Sequence, residues 1–573
     1  MPCRATLTFP HTRFSPSLSS NSAAMRSVLR IAGLALVGVL LSGVHAIQTV
    51  TRTGRYLYTA DGNRFYMKGV AYQEQGAVVA DPNNPFLEPS TYIDPLANGT
   101  ACQRDLPYLQ QLGVNTIRVY SVDSTQNHDT CMQLFSNAGI YTIIDLSLPV
   151  NGSIDRNSPE WTTNLLDLYL ETVNTFTKYN NVLAYNVGNE VVIQANGTGA
   201  ATFVKAAARD VKAYLNSIKS SALVGYAAID GDADWIVPLA NYFSCDPSGS
   251  NSGATAIDLF GLNNYEWCGD STFQASYAGI EGDFAGYNVV AYFSEFGCIT
   301  AGTPRPWTEV GALLSSEMSP VWSGGIAFSY FPASSAAGQF GMVTISSDGS
   351  TVTTSQDFDN LKAQYTAASP PNSPSQSGAG STTYPSCPAQ NSTFLASTQL
   401  PPTPSVSACT CMENNLSCIF TPSVSNYTAI VGSLLDYGCS LLGQAGGSCN
   451  DISGNGTTGQ YGLVSECDPT VKLSYVMSEY YGATNNNAQS CSFGGNGTVN
   501  AKASAAATSV AASCLSSATG TSVPSLPSGV ASSTPGSGSS HSGAPGVFAD
   551  VRALFGVSAL VVTGIVSGFL TVA

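Results

Sequence analysis

Charge is the scarcest commodity in this chain of 573 residues: Asp, Glu, Lys and Arg together make up 10 % of it, against about 25 % in an ordinary soluble domain. Basic groups are fewest, and 21 positive against 37 negative residues leave a net charge of −16. That balance argues against nucleic acid or an anionic membrane surface as a partner. No Gly-rich phosphate loop follows the first apolar run of the folded part, which argues against an open dinucleotide-binding sheet. What is present in quantity is hydrophobic (43 %) and aromatic (10 %) residues, enough to exclude wholesale disorder and to bury a sizeable core.

The two ends carry the pattern of addresses. Arg26 and Arg30 precede an apolar run over 31–41 and the small-residue stretch Gly43-Val44-His45-Ala46. This predicts a secretory signal over 1–46, cut after Ala46, with translation starting at Met1 or Met25. At the other end, Ser542-Gly543-Ala544 is followed by a spacer over 545–552 and an apolar run over 553–573 with no Lys or Arg after it. Small residues, spacer and apolar tail predict exchange of 545–573 for a glycosylphosphatidylinositol anchor on Ser542 or Gly543. Sequons at Asn98, Asn151, Asn196, Asn391, Asn415, Asn426, Asn455 and Asn496 fit a secreted glycoprotein. The expected location is extracellular, on the outer leaflet of the plasma membrane, where cysteines pair as disulfides.

Between the ends, composition divides the chain into a folded domain over 47–365, a Ser/Pro/Gly-rich linker over 366–386, a cysteine-dense module over 387–514 and a Ser/Gly/Ala-rich stalk over 515–544. The first domain holds apolar β-type runs at 65–71, 116–122, 141–146, 182–187, 223–229, 259–263, 289–296 and 325–331. Stretches such as 165–179 and 200–218 between them show helical periodicity. Continuous apolar strands separated by helices predict a parallel sheet. Eight such units predict a (β/α)8 barrel, an α/β fold.

Catalytic groups in such a barrel sit at the C-terminal ends of its strands. Those ends read Tyr72-Gln73, Arg118 and Tyr120, Asp145, Asn189-Glu190, Asp230 and Asp232, Asn263-Asn264-Tyr265, Glu295, and Tyr330. Glu190 and Glu295 close the fourth and seventh units, on opposite sides of the barrel mouth. Glycoside chemistry needs such a pair: an acid that keeps its proton, and a carboxylate that attacks the anomeric carbon. Asn189 is placed to bond a sugar 2-hydroxyl.

The stretches Gly69-Val70-Ala71-Tyr72-Gln73, Asn115-Thr116-Ile117-Arg118-Val119-Tyr120, Gly188-Asn189-Glu190, Asn263-Asn264-Tyr265-Glu266-Trp267-Cys268-Gly269, Phe293-Ser294-Glu295-Phe296-Gly297-Cys298 and Val321-Trp322-Ser323-Gly324-Gly325 resemble the fungal cell-wall β-1,3-glucanosyltransferases of glycoside hydrolase family seventy-two. The resemblance implies a retaining enzyme of cell-wall biogenesis. It would cut β-1,3-glucan internally and join the new reducing end to the non-reducing end of another glucan. It implies Glu190 as acid/base and Glu295 as nucleophile, with Tyr120, Asn189, Gln73, Asp145 and Tyr265 lining the sugar cleft and Tyr265 or Trp267 serving the acceptor. No metal, nucleotide or redox cofactor is called for. Two positions depart from the family pattern. Ile236 stands where an Arg is common, with Asp232 a partial substitute for a missing Asp, and Phe328 replaces a Tyr, with Tyr330 two residues later.

Fourteen cysteines remain beyond the signal, and Cys409-x-Cys411 lacks the two-residue gap of a zinc knuckle. The resemblance implies Cys102–Cys131, Cys268–Cys298 and Cys245–Cys387, the last joining barrel and module. The module resembles the family forty-three carbohydrate-binding modules, implying Cys409–Cys467, Cys411–Cys514, Cys418–Cys491 and Cys439–Cys449, with Tyr461 and Tyr475 or Tyr480 offering sugar-stacking faces. Two competing readings keep the fold: an endo-β-1,3-glucanase, in which water completes the reaction, and a non-catalytic wall-binding protein. Products longer than the donor separate transfer from hydrolysis.

Overall fold

The computed structural model describes residues 47–78, 88–149, 152–503, 505–518 and 523–524. The expected secretory signal, most of the stalk, the anchor signal and Asn151 lie outside the described residues.

Eight parallel strands pair in chain order and close on themselves. They are β1 (Met67–Ala71), β2 (Thr116–Val119), β3 (Tyr141–Asp145), β4 (Val182–Asn189), β5 (Leu223–Ile229), β6 (Leu259–Asn263), β7 (Val290–Phe296) and β8 (Trp322–Ala327). Closure is made by β8, where Gly325 pairs with Lys68 of β1 and with Phe293 of β7. The last apolar run was expected at 325–331, but the strand begins at Trp322. Its Gly-Gly pair reads as a turn in the sequence; in the barrel it allows close approach. A Cβ on Gly324, at φ 85°, would lie 2.3 Å from the Met67 carbonyl oxygen, so only glycine fits that backbone.

Register shifts fall between Asn186 and Asn189 on β4 and between Leu262 and Asn263 on the β6–β7 ladder. Such bulges re-aim side chains at barrel rims. Here they flank the two strand ends that carry Glu190 and Glu295. Inside the barrel, Met67, Ala71, Ile143, Ala184, Leu259, Tyr292 and Ile326 form one buried cluster. Val50, Leu57 and Phe65, from and beside the hairpin Thr51–Thr53/Tyr56–Tyr58, join it at the N-terminal ends of the strands. Full burial of an aliphatic side chain of this kind is worth roughly 1.5–3 kcal/mol, so the bottom of the barrel is the stable base on which the upper rim is built.

The outer layer contains α1 (Gly99–Leu112), α2 (Asp129–Asn137), α3 (Thr163–Phe176), α4 (Ala201–Ser217), α5 (Ala233–Ser244) and α6 (Gln356–Ala367). Asn98 starts α1 by accepting the Ala101 N–H at 3.1 Å, and Gly113 ends it in the left-handed conformation. The helical periodicity read at 165–179 and 200–218 corresponds to α3 and α4. Leu165, Leu166, Tyr169, Leu170, Val173 and Phe176 form the face of α3 that packs inward. The polar stretch after α6 is hydrogen-bonded along the barrel: Tyr66 Oη donates to Pro371 O at 2.9 Å, Tyr58 Oη to Pro374 O at 2.9 Å, and Asp246 N–H to Pro385 O at 2.9 Å.

The cysteine-dense module is built on α7 (Val406–Asn415), α8 (Thr428–Gln444), α9 (Pro469–Ala483) and α10 (Ala507–Ser517), with a small ribbon of Cys418–Phe420 against Gly497–Val499. Asp468 caps α9 through the Thr470 and Val471 N–H groups, and Pro469 occupies its first turn. Cys409–Cys467, Cys411–Cys514, Cys418–Cys491 and Cys439–Cys449 tie these pieces together. Cys245–Cys387 links the end of α5 to the module's leading segment, while Cys102–Cys131 and Cys268–Cys298 lie within the barrel. The module sits on α3 and α4: Thr163 N–H donates to Glu466 O at 2.9 Å, Lys472 pairs with Glu160 at 2.8 Å, and Tyr461 meets Phe203 edge-on at 5.9 Å.

Burial lifts several carboxyls. Glu309 and Glu466 are raised to about 7, and Asp167, under α9, rises to about 7 through burial and the neighbouring Glu171 and Asp468 charges. A carboxyl whose folded pKa lies above its unfolded one is still protonated in the native state when the unfolded chain has ionised. Stability is therefore greatest below about pH 4.5 for these groups and falls as pH climbs toward 7. Calorimetry should give a lower Tm at pH 7.5 than at pH 5, and the reverse order would contradict the assignment.

Candidate active site

The C-terminal rim of the barrel opens into a cleft of about 450 Å³, lined by Gln73, Tyr120, Asp145, Asn189, Glu190, Glu295 and Phe328 among others. Beneath it lies the Arg118 guanidinium, fully buried although it comes from an otherwise apolar strand. Its Nη2 donates to Asp145 Oδ2 at 2.7 Å and to Asn189 Oδ1 at 2.8 Å, and its Nη1 donates to Glu295 Oε1 at 3.1 Å. Burial lowers the Arg118 pKa, but Asp145, Tyr120 and Glu295 outweigh it and raise it above its ordinary value.

Glu295 receives two further donors: Tyr120 Oη to Oε1 at 2.8 Å and Tyr265 Oη to Oε2 at 2.9 Å. Burial raises this carboxyl above its ordinary value, and Arg118, Tyr120 and Tyr265 pull it back. Glu190 stands across the cleft and its carboxyl has one donor in the described residues, Asn263 Nδ2 at 2.6 Å. Burial, then the nearby Glu295 charge, lift Glu190 to about 7. Glu190 thus keeps its proton up to about pH 7, while at Glu295 a cation and two phenols oppose the burial that raises it.

Of the other expected cleft residues, Asn189 presents a bound oxygen, accepting from Arg118 and from Asn263 Nδ2 at 3.2 Å, while no described residue accepts from its Nδ2. Gln73 is locked by its amide: Oε1 accepts the Tyr120 and Ser121 N–H groups, and Nε2 donates to Ile93 O at 2.6 Å. Asp145 lines the cleft floor, paired with Arg118 and accepting from Asn186 Nδ2 at 2.7 Å. Phe328 lines the cleft and packs edge-on against Phe340 at 5.0 Å and Tyr120 at 6.2 Å.

Four expectations need correction. Tyr330 does not reach the cleft: it is fully buried, and its hydroxyl donates to Asp105 Oδ1 at 3.2 Å beside the Tyr72 ring. Asp232 is exposed at the start of α5, where its carbonyl accepts the Trp235 and Ile236 N–H groups, and it is not among the cleft residues. Trp267 is buried against Tyr277 and donates to Thr308 Oγ1 at 3.0 Å, so it offers no open face to a sugar. In the module, Tyr475 is buried with its hydroxyl on Asp451 and Tyr461 faces the barrel, so neither is a stacking platform. Ile236 is fully buried in α5, an apolar position with no route to donor glucan.

Asn263 was noticed only as a strand-end residue, yet its amide joins Glu190 to Asn189, and Ser294 Oγ donates to its Oδ1 at 2.7 Å. Arg118 carried a legible signal, a lone cation inside an apolar strand. Arg156 and Glu88, which also line the cleft, belong to loops with no motif to mark them.

A closed parallel barrel with two glutamates in unlike hydrogen-bonding surroundings, both lining a polar cleft at its C-terminal rim, defines an enzyme acting on glycosides. Residues 38–369 match the glucanosyltransferase family of glycoside hydrolase family 72, and residues 416–498 match the X8 domain. The chain belongs to this glucanosyltransferase family. It is 40 % identical over 496 residues to the 1,3-beta-glucanosyltransferase gas1 of Schizosaccharomyces pombe, covering 86 % of this chain and 85 % of that one. It is 37 % identical over 452 residues to the 1,3-beta-glucanosyltransferase GAS2 of Saccharomyces cerevisiae, covering 78 % of each. A solved structure of a Glu-to-Gln mutant of Saccharomyces cerevisiae Gas2p in complex with laminaritetraose and laminaripentaose superposes with a TM-score of 0.71 at 34 % identity, covering 82 % of this chain and 99 % of that one.

The two environments predict a bell-shaped pH profile for kcat/KM. Its basic limb falls near pH 7 as Glu190 loses its proton, and its acidic limb lies above the ordinary Glu range as Glu295 gains one. Tyr265→Phe removes a donor to the anionic form of Glu295, worth roughly 1.5–3 kcal/mol for a bond to a charged group. The acidic limb should move to higher pH, with the basic limb in place. An unmoved acidic limb would show that Tyr265 does not tune this carboxyl.

Proposed function

We propose that this glucanosyltransferase cuts a β-1,3-glucan chain internally with Glu295 as nucleophile and Glu190 as acid/base, and passes the new reducing end to the non-reducing end of a second glucan. In the first half, Glu190 gives its proton to the glycosidic oxygen while a Glu295 oxygen bonds the anomeric carbon. The leaving chain departs with that proton, and a glycosyl ester remains on Glu295. In the second half, ionised Glu190 takes the proton of an acceptor hydroxyl, whose oxygen displaces Glu295 from the anomeric carbon. Two inversions retain the β configuration.

The observation that carries this reading is the difference in donors: three on Glu295, one on Glu190. Arg118, Tyr120 and Tyr265 stabilise Glu295 each time it leaves as a carboxylate, and Asn189 Nδ2 is free to bond a sugar 2-hydroxyl as positive charge grows on the ring. The relatives' printed activity and the laminari-oligosaccharides bound to Gas2p support β-1,3-glucan as donor and acceptor. The module is read as a holder of that glucan. The apolar ends of the chain support secretion and attachment to the outer leaflet through a lipid anchor at Ser542 or Gly543, next to the wall the enzyme remodels.

The secreted chain, incubated with a reduced β-1,3-gluco-oligosaccharide, should yield products longer than the substrate by mass. Glu190→Gln and Glu295→Gln should each lose them, by a factor of roughly 10³ or more, if they are the two catalytic carboxyls. Only shorter products from the wild type would make it a hydrolase. On whole cells, a phospholipase specific for phosphatidylinositol should release the protein; retention on the cells would count against the anchor.

A further inference from the structure

Arg156 lies between β3 and α3, and Glu88 between β1 and α1. The arginine reaches both sides of the cleft rim. Its Nε donates to the main-chain carbonyl of Glu190 at 2.8 Å, and its Nη1 and Nη2 donate to the two oxygens of Glu88 at 3.2 and 2.5 Å. The Arg156 side chain is 24 % exposed and the Glu88 side chain 50 %. Glu190 itself has φ 49°, a left-handed conformation that a residue with a long side chain keeps only where its surroundings hold it. The peptide on either side of Glu190 is accordingly held. Its N–H donates to Ala227 O of β5 at 2.9 Å, and its carbonyl accepts from Arg156.

We propose that Arg156, aligned by Glu88, is a positioning residue for the acid/base: it fixes the Glu190 backbone in its left-handed turn and supplies a fixed positive charge next to that residue. The inference rests on the reading of Glu190 as acid/base. A planar guanidinium suits the task, because its fork takes the Glu88 carboxylate in bidentate fashion and leaves Nε for the carbonyl; an ammonium cannot do both in fixed geometry.

The groups facing Glu190 come from every side. Glu295 on β7 raises its affinity for a proton, whereas Asn263 on β6, Arg156 and Arg118 on β2 lower it. Tyr226 on β5 and Tyr265 beyond β6 also lie in its field, both held neutral by burial. Arg118 is committed to Glu295 and Asp145, so Arg156 is the cation whose effect on Glu190 is set by an exposed partner, Glu88. Removing Arg156 and removing the Glu88 charge should therefore move the Glu190 titration in opposite directions, a signature that a scaffolding contact would not produce.

The test is the pH profile of kcat/KM for oligosaccharide transfer by the full secreted chain in Arg156→Gln, Arg156→Lys and Glu88→Gln, with Tm measured on each. Arg156→Gln should move the basic limb upward and lower kcat roughly ten- to a hundredfold, as expected when a reacting group loses its alignment. Glu88→Gln, which removes a negative charge beside the arginine, should move the same limb downward. Arg156→Lys should keep the limb nearer its wild-type position while still losing rate. A basic limb that stays in place in both Arg156→Gln and Glu88→Gln overturns the proposal, whatever happens to overall rate. If Arg156→Gln fails to fold, the direction of the Glu88→Gln shift decides. Full activity of Glu190→Gln would instead sink the acid/base reading, a failure separate from this one.

Discussion

The buried Arg118 guanidinium is the contact on which the rest of the site depends. It contacts Asp145, Asn189 and Glu295, together with the Ser294 carbonyl at 3.0 Å. A cation in this position compensates two carboxylates that would otherwise face each other in a region of low dielectric. Without it, Glu295 would lose the largest influence opposing its burial and Asn189 would lose one of the two donors to its oxygen. The apolar barrel below supplies the rigidity that makes this useful, since the donors to Glu295 are in place before any sugar arrives.

The same frame gives two chemically identical side chains unlike surroundings, and the proposed mechanism uses one as an acid and the other as a nucleophile. Glu295 ends a strand in the densest part of the donor network, while Glu190 stands just past a bulge, with one asparagine on its carboxyl and a left-handed backbone. Glu295 also acts on Glu190, because its charge is second only to burial in keeping the Glu190 proton on. In the proposed reaction, forming a bond to Glu295 removes that charge and lowers the Glu190 pKa as the first transfer proceeds. The acid is thereby prepared to act as a base in the second half of the reaction.

The barrel was legible because parallel strands buried on both faces are continuous apolar runs, and eight of them stand out from a chain this poor in charge. The eighth was misplaced for a local reason: Gly324-Gly325 has the look of a turn, but it serves a close strand contact. Strand ends also named Tyr120, Asn189, Glu190 and Glu295 together. They could not tell which side chains face the cleft and which face the layer behind it, and Tyr330 falls on the far side, as does Trp267, which the family resemblance offers. Asp232 failed differently, since a residue that starts a helix at the rim need not turn inward. The partnership of Arg156, Glu88 and the Glu190 carbonyl joins three loops and rim segments far apart in sequence, and no local pattern could announce it.

The central claim is that Glu295, held by Arg118, Tyr120 and Tyr265, forms the bond to sugar. The most direct test uses a β-1,3-gluco-oligosaccharyl fluoride carrying fluorine at C2 of its reactive ring, which slows breakdown of a glycosyl-enzyme more than its formation. After proteolysis and mass analysis, a single added oligosaccharide should be found on the peptide containing Glu295 and should disappear in Glu295→Gln. Label on Glu190, or inactivation with no covalent adduct at all, would contradict the account.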